Sequence, residues 1–303
     1  MRKLVVAVGL LMLGVLVGGG CGGGEPQGKS LAQQYQEALK LSDARQKATK
    51  LATLAGKQKQ AGDLLSMGST LSAAKEAAYQ VKDADSRART LAEIAAAYAR
   101  MEHGPDDVKK MLKDAAAATK EIEDPLTKIR VLAELAATTG KSVKNVDLAA
   151  SYLKTAEETA GTLESPPSKT IALGSIAAAY HKIERSADAD RVIKVATDQA
   201  RAQSDLPVQT ECLAEIAGAL YAMDKPDEAK QTLAAAEKAA SEITDDEKHA
   251  YALLHIVKKM LSAKKTAGAK ELLSKAQDHA LKVTDNGVKM QLGSEIEALD
   301  KDL

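Results

Sequence analysis

One spacing recurs along this chain and limits what it can fold into. Leu51, Leu91, Leu132, Leu173, Leu213 and Leu253 are separated by 40, 41, 41, 40 and 40 residues. A second ladder keeps step with the first: Leu31, Leu71, Leu112, Leu153, Ile193, Leu233 and Leu273. A third runs through Asp43, Asp83, Asp124, Ser165, Asp205, Asp245 and Asp285. Three ladders sharing one period define a structural repeat, and a repeat of this length is a supersecondary unit that must stack on its neighbours to bury its apolar face.

Within a unit the apolar spacing is helical. Leu91, Ile94, Ala95 and Tyr98 fall at i, i+3, i+4 and i+7, and Ala229, Leu233, Ala236 and Ala240 form a similar stripe in a second segment, so each unit is read as two helices. The Asp and Ser residues of the third ladder stand where an N-cap is wanted. Asp124-Pro125 and Ser165-Pro166 add proline at the first helical position, where its missing N–H costs nothing. HGPDD at His103 and MDKPDE at Met223 supply turns too short for anything but antiparallel neighbours.

Composition agrees. Apolar residues make up 45% of the 303, Phe and Trp are absent, and alanine dominates. Columns such as Ala95, Ala177 and Ala217, or Ala74, Ala115, Ala156, Ala196, Ala236 and Ala276, permit close helix approach while the Leu and Ile columns fill the space between. Residues 30 to 42 read as a lone second helix, and residues 286 to 303, with the polar EIEALDKDL, as a closing helix with a wet outer face.

The unit at Leu213 resembles a tetratricopeptide repeat (TPR). Leu213, Ile216, Ala217, Leu220, Ala229, Leu233 and Ala236 meet that family's pattern at its spacing, and Leu91, Ile94, Ala95, Tyr98 and Leu173, Ile176, Ala177, Tyr180 match its first helix with the tyrosine intact. The resemblance covers about residues 44 to 290. It implies an all-α fold, a right-handed α-solenoid of stacked antiparallel helix pairs, here with a period of 40–41 residues and roughly six repeats. The repeat exceeds the roughly 34 residues of a TPR, with the extra length assigned to the second helix and its loop; HEAT-like packing, whose repeats run about 40–47 residues, is the alternative.

The first residues are of another kind. Arg2 and Lys3 precede an apolar run of 14 residues, Leu4 to Val17, that ends in small residues: an export signal, too short to span a bilayer. Gly18-Gly19-Gly20-Cys21 resembles a bacterial lipoprotein signal, with Gly18 where Leu is usual; the resemblance implies that Cys21 becomes the lipidated first residue of the mature protein. Simple secretion is the alternative. The domains are therefore read as a signal peptide at 1–20, a Gly/Pro-rich tether at 21–29 and the repeat domain at 30–303. Cys212 falls on an apolar helix face and is expected to be a buried, inert thiol.

The chemistry of the sequence is sparse. Lys plus Arg and Asp plus Glu both number 42 and are interspersed, and the only stacking aromatics are seven Tyr, which argues against a nucleic-acid partner. No glycine-rich phosphate loop follows a strand, and the five His include no pair at metal-ligand spacing, so neither metal nor cofactor is expected. His103 and His181 are read as solvated. Glu93, Glu134 and Glu215 share one place in successive repeats and are read as wet surface rather than a catalytic pair. A nucleophile such as Ser175 served by His255 would need contact across two repeats.

In the TPR family first-helix residues line the groove. Carried over by position, that nominates Arg89, Arg100, Arg130, Lys141, His181 and Lys182 in the middle repeats and Glu211, Tyr221 and Tyr251 toward the end. They read either as a moderately basic strip for an acidic or C-terminal peptide segment, or as ordinary solubilising charge on Ala-rich helices. The functional expectation is a non-catalytic scaffold for another protein, exported and held at a membrane of the cell envelope through a lipid on Cys21. The alternatives are an envelope assembly factor of the TPR-lipoprotein type and an enzyme with an unrecognised site.

Overall fold

The computed structural model describes residues 29–303; the leader, Cys21 and the tether to residue 28 lie outside them. A single helix, α1 (Leu31–Leu39), is followed by six hairpins. These are α2 (Ala44–Gln60) with α3 (Leu64–Tyr79), α4 (Ala84–Arg100) with α5 (Pro105–Ala118), and α6 (Pro125–Ser142) with α7 (Val146–Gly161). Then come α8 (Pro166–Lys182) with α9 (Ser186–Arg201), α10 (Leu206–Ala222) with α11 (Pro226–Ser241), and α12 (Asp246–Ser262) with α13 (Ala269–Lys282). A lone α14 (Asn286–Asp300) closes the array, and no strand occurs among the described residues. The chain is an all-α solenoid. Its first helices run 17 or 18 residues and its second helices 14 to 16, so the longer member is the first and not the one to which the sequence reading gave the extra length.

The ladders do what their spacing requires. Every leucine from Leu51 to Leu253 in the first ladder is buried, as is every member of the second ladder from Leu71 to Leu273. Burial of one such side chain contributes about 1.5–3 kcal/mol. The alanines at 74, 115, 156, 196, 236 and 276 are all 0% exposed, and a larger residue in that column would push two helices apart. One apolar cluster extends from Ala38 to Ile296, the continuous core that isolated hairpins could not make.

Six of the seven junction residues cap the next helix through the side chain: Asp43, Asp83, Asp124, Asp205, Asp245 and Asp285 each accept a hydrogen bond from the N–H three residues on, at 2.7–3.0 Å. Ser165 holds the N-cap position without that bond. Each aspartate cap is worth about 1 kcal/mol.

A further ladder escaped the sequence reading. The second residue after each first helix, Gly62, Glu102, Lys144, Glu184, Asp224 and Lys264, has a positive φ between 55° and 77°. The next residue's N–H turns back to donate to a helix carbonyl: His103 to Tyr98, Arg185 to Tyr180, Lys225 to Leu220 and Lys265 to Met260, at 2.8–3.0 Å. This left-handed stop reverses the chain into the second helix and is normally a glycine position; only Gly62 carries one here.

Each first helix packs against the first helix of the next hairpin, and each second helix against the following first helix, while no second helix makes a comparable contact with the next second helix. A stack in contact along one layer and splayed along the other bends toward the contacting layer. The first helices therefore form the concave side. At the far end Glu297 and Asp300 are exposed at positions where α12 buries Val257 and Met260, which gives α14 the polar outer face expected of a cap.

Candidate binding surface

On each first helix the residues two before and two after the ladder leucine lie about 160–200° around the axis from it, so they face away from the core. The earlier position holds Thr49, Arg89, Arg130, Ile171, Glu211 and Tyr251; the later one holds Thr53, Glu93, Glu134, Ser175, Glu215 and His255, and Glu295 continues it on α14. The two columns bridge neighbouring helices. Thr49 Oγ1 donates to Glu93 at 3.3 Å, Arg89 pairs with both Asp85 and Glu134, His255 Nε2 meets Glu215 at 3.1 Å, and Lys258 pairs with Glu295. The series is interrupted at Ser175, which supplies no carboxylate, and Arg130 opposite it is exposed and makes no ion pair among the described residues.

Three clefts follow one another along this face. The first lies across α2, α4 and α6 and is lined by Arg45, Arg89, Glu93, Arg100 and Glu134. The middle one, about 490 Å³, lies across α8, α10 and α12; Gly174, Ser175, Ala178 and Gly218 leave the space, and Ile171 and Tyr221 stand at its edge. The third, across α10, α12 and α14, is lined by Glu211, Tyr251, His255 and Lys258. Lys265 Nζ lies 5.6 Å above the Tyr221 ring, within cation–π range.

Arg89 and Arg100 thus line the first cleft, Tyr221 the middle one, and Glu211 and Tyr251 the third. Arg130, Lys141, His181 and Lys182 line none of the three. Lys141 and Lys182 are exposed near the C-terminal ends of α6 and α8, where the helix dipole favours a cation, and His181 is half-buried. The face is not the basic strip that these residues suggest when taken alone. Glu93, Glu134, Glu215 and Glu295 share it, and two of them neutralise Arg89 and Lys258. Glu215 is not wet surface either: its side chain is 12% exposed and receives both His255 and Lys259 Nζ, the latter at 2.7 Å. Burial alone would raise its pKa, but the hydrogen bonds from His255 and Lys259 outweigh that and hold the carboxyl below its ordinary value. Ser175, Glu215 and His255 follow one another across three helices with the carboxylate in the middle, and the hydrogen bond of His255 goes to Glu215 rather than to Ser175.

Other polar residues have structural work. Tyr98 and Tyr180 are buried, as packing residues should be; the Tyr180 hydroxyl donates to Glu157 at 2.8 Å, and Arg191 grips the same carboxylate with two N–H groups. His103 lies against the Tyr98 ring, with 5.6 Å between centroids, rather than simply in water. Cys212 is buried, and burial pushes its thiol pKa up, as an inert cysteine requires. No group of three or more His, Cys, Asp or Glu among the described residues is arranged to hold a metal ion, and no described helix is long and apolar enough to cross a membrane.

His249 and His279, from α12 and α13, stack with centroids 3.8 Å apart, a contact that helical spacing on either element does not reveal. His249 Nδ1 faces the Ile243 carbonyl, and His279 Nδ1 meets Asp246, with Lys282 beyond it. Burial, reinforced by the His279 ring, holds the His249 imidazole below its ordinary pKa of 6.5. The unfolded chain therefore binds more protons at this residue, and its contribution to stability is complete above about pH 6.5 and declines as the pH falls through that value. Melting followed by circular dichroism from neutral to mildly acidic pH should show a falling midpoint, with a shallower fall in His249→Gln. Equal slopes would assign the acid sensitivity to other groups.

No family model matches the chain, and no curated protein matches it. Among solved structures it is similar to the crystal structure of Ton1535 from Thermococcus onnurineus NA1, at 16% identity over 86% of this chain and 94% of that one, with a TM-score of 0.41.

Proposed function

We propose that the protein is a non-catalytic scaffold that binds an extended segment of another protein along its concave face, and that a lipid on Cys21 holds it at a membrane of the cell envelope. The observation that carries the binding half is the succession of three open clefts on one face. The middle cleft is floored by alanine and glycine, and all three hold cross-helix polar pairs already fixed in place. Such a surface orders little on binding, which limits the entropic cost of capturing an extended chain. The anchoring half rests on the leader and Gly18-Gly19-Gly20-Cys21. Tethering raises the effective concentration of partners at the membrane.

Arg130 is the informative charge, because reversing Arg89 would set a new carboxylate beside Asp85 and Glu134 and confuse binding with stability. Arg130→Glu should lower partner recovery after crosslinking in intact cells by about tenfold, the scale of one lost charge-assisted contact. Lys154→Glu, on the exposed side of α7, should leave recovery unchanged. Equal recovery from the wild type and both variants would move the binding surface off the concave face.

A further inference from the structure

The edge of the solenoid at which the described chain begins differs from the rest of the surface. The helix α1 runs antiparallel to α2, which brings Lys29 and Leu31 to the α2–α3 turn, and Leu31, Tyr35 and Leu65 line one cleft there. Leu64 is 60% exposed and Leu65 90% exposed. The other second helices begin Pro105-Asp106, Val146-Asp147, Ser186-Ala187, Pro226-Asp227 and Ala269-Lys270, so a pair of leucines at this place is peculiar to the first hairpin. Core packing does not account for them, since so exposed a side chain gains nothing from the fold.

The same edge is cationic. Residues 29–63 hold seven basic side chains against three acidic ones, Glu37, Asp43 and the α3 cap Asp63 in the turn itself, in a chain whose overall charge is zero. Lys29 sits at the edge and is paired with Glu37. Lys57 and Lys59 sit beside the turn, donate to Gln34 Oε1 and the Arg100 carbonyl, and make no ion pair among the described residues. Lys40, Arg45 and Lys47 stand at the other end of the α1–α2 pair, Arg45 in the first cleft, so the cations near the turn are Lys29, Lys57 and Lys59. Cys21 precedes Lys29 by eight residues, a reach of at most about 28 Å at roughly 3.5 Å per residue. A lipid on Cys21 would hold this edge, before any other part of the solenoid, at the bilayer.

We infer that the α2–α3 turn is a membrane-docking edge: Leu64 and Leu65 enter the interfacial layer of an anionic bilayer while Lys57 and Lys59 face its phosphates. Exposed apolar side chains flanked by lysines are the combination that binds such interfaces, and a basic patch adds the second signal that a single acyl chain lacks. The docking deepens the anchored reading given above and would set the solenoid's orientation on the membrane, which a lipid on Cys21 alone leaves open.

The test uses the full chain, purified from membranes as the cell processes it and reconstituted on phosphatidylglycerol/phosphatidylcholine vesicles. An environment-sensitive fluorophore is attached at Leu65→Cys or, as a control, at Asp227→Cys; buried Cys212 remains. The label at 65 should shift to the blue and be quenched by brominated lipid, the label at 227 should do neither, and Lys57→Glu with Lys59→Glu should reduce the quenching at 65 at least threefold. Water-like emission at 65 on vesicles that retain the protein overturns the docking and leaves the anchor standing. A shift in native envelope fragments but not on pure lipid assigns the edge to a protein and also overturns it. Mass spectrometry of the N-terminal peptide reads the anchor separately: unmodified Cys21 with a quenched label at 65 removes the anchor and keeps the docking. A chain that does not float with the vesicles overturns both.

Discussion

Glycine at Glu102, Lys144, Glu184, Asp224 and Lys264 together should raise the unfolding free energy by about 3–5 kcal/mol. All five take the positive φ that ends a first helix, between 55° and 63°. A side chain in that conformation costs roughly 1–2 kcal/mol through its Cβ, and glycine returns about half of this to the unfolded chain's extra freedom, leaving some 0.5–1 kcal/mol per site. None of the five residues makes an ion pair among the described residues, so nothing else is lost. In a repeat array each gain also supports the neighbouring units. Urea unfolding checks this: the midpoint should rise with the slope unchanged. An unmoved midpoint would mean that these turns are not held in the left-handed conformation. Gly62→Ala is the mirror experiment and should lose about 1 kcal/mol at the one position where glycine already stands.

Gly140→Ala should destabilise the protein by about 2–3 kcal/mol, against the usual gain of some 0.5–1 kcal/mol for this change inside a helix. A Cβ at Gly140 would overlap Ile183 Cγ2 and lie 2.9 Å from Ile183 Cβ, atoms near the backbone of a β-branched residue that cannot swing aside. The contact joins α6 to the residue that follows α8, so the clash falls between successive hairpins and should uncouple the array at its middle. Gly293→Ala supplies the opposite sign: nothing lies within 4 Å of its added methyl in α14, and the helix should gain about 0.5–1 kcal/mol. If Ile183 is the obstacle, Ile183→Ala in the Gly140→Ala chain should cost far less than it does alone. Additive costs would contradict the assigned contact.

The architecture was legible because its causes repeat. A leucine that must be buried in every unit, an aspartate that caps every first helix but α8 and an alanine that must admit every neighbour each leave a mark at 40 or 41 residues, and all three marks correspond to observed structure. The two half-repeats at the ends followed from the same register. The left-handed stops were missed because their usual signal is glycine, and five of the six residues are charged. The candidate surface was legible only in part. Arg89, Arg100, Glu211, Tyr221 and Tyr251, nominated by position along the first helix, line clefts, but reading the cations without the acids opposite them hid the neutralisation of Arg89 by Glu134. That pairing joins residues 45 positions apart, and the Glu215–His255 contact joins residues 40 apart, so neither shows in local periodicity. The His249–His279 stack depends on how two helices pack, which spacing on one helix cannot report.

The central claim, that the concave face receives a polypeptide, is tested most directly by a photo-crosslinking side chain placed singly in the full-length protein in living cells. Ser142, Ser175 and Ala222 line the first and middle clefts, whereas Lys154 and Lys194 are exposed on the second helices α7 and α9. Adducts of one defined mass from the three cleft positions, absent at 154 and 194, are the expected result. Adducts confined to 154 or 194, or none from any cleft position, would contradict the concave face as the binding surface.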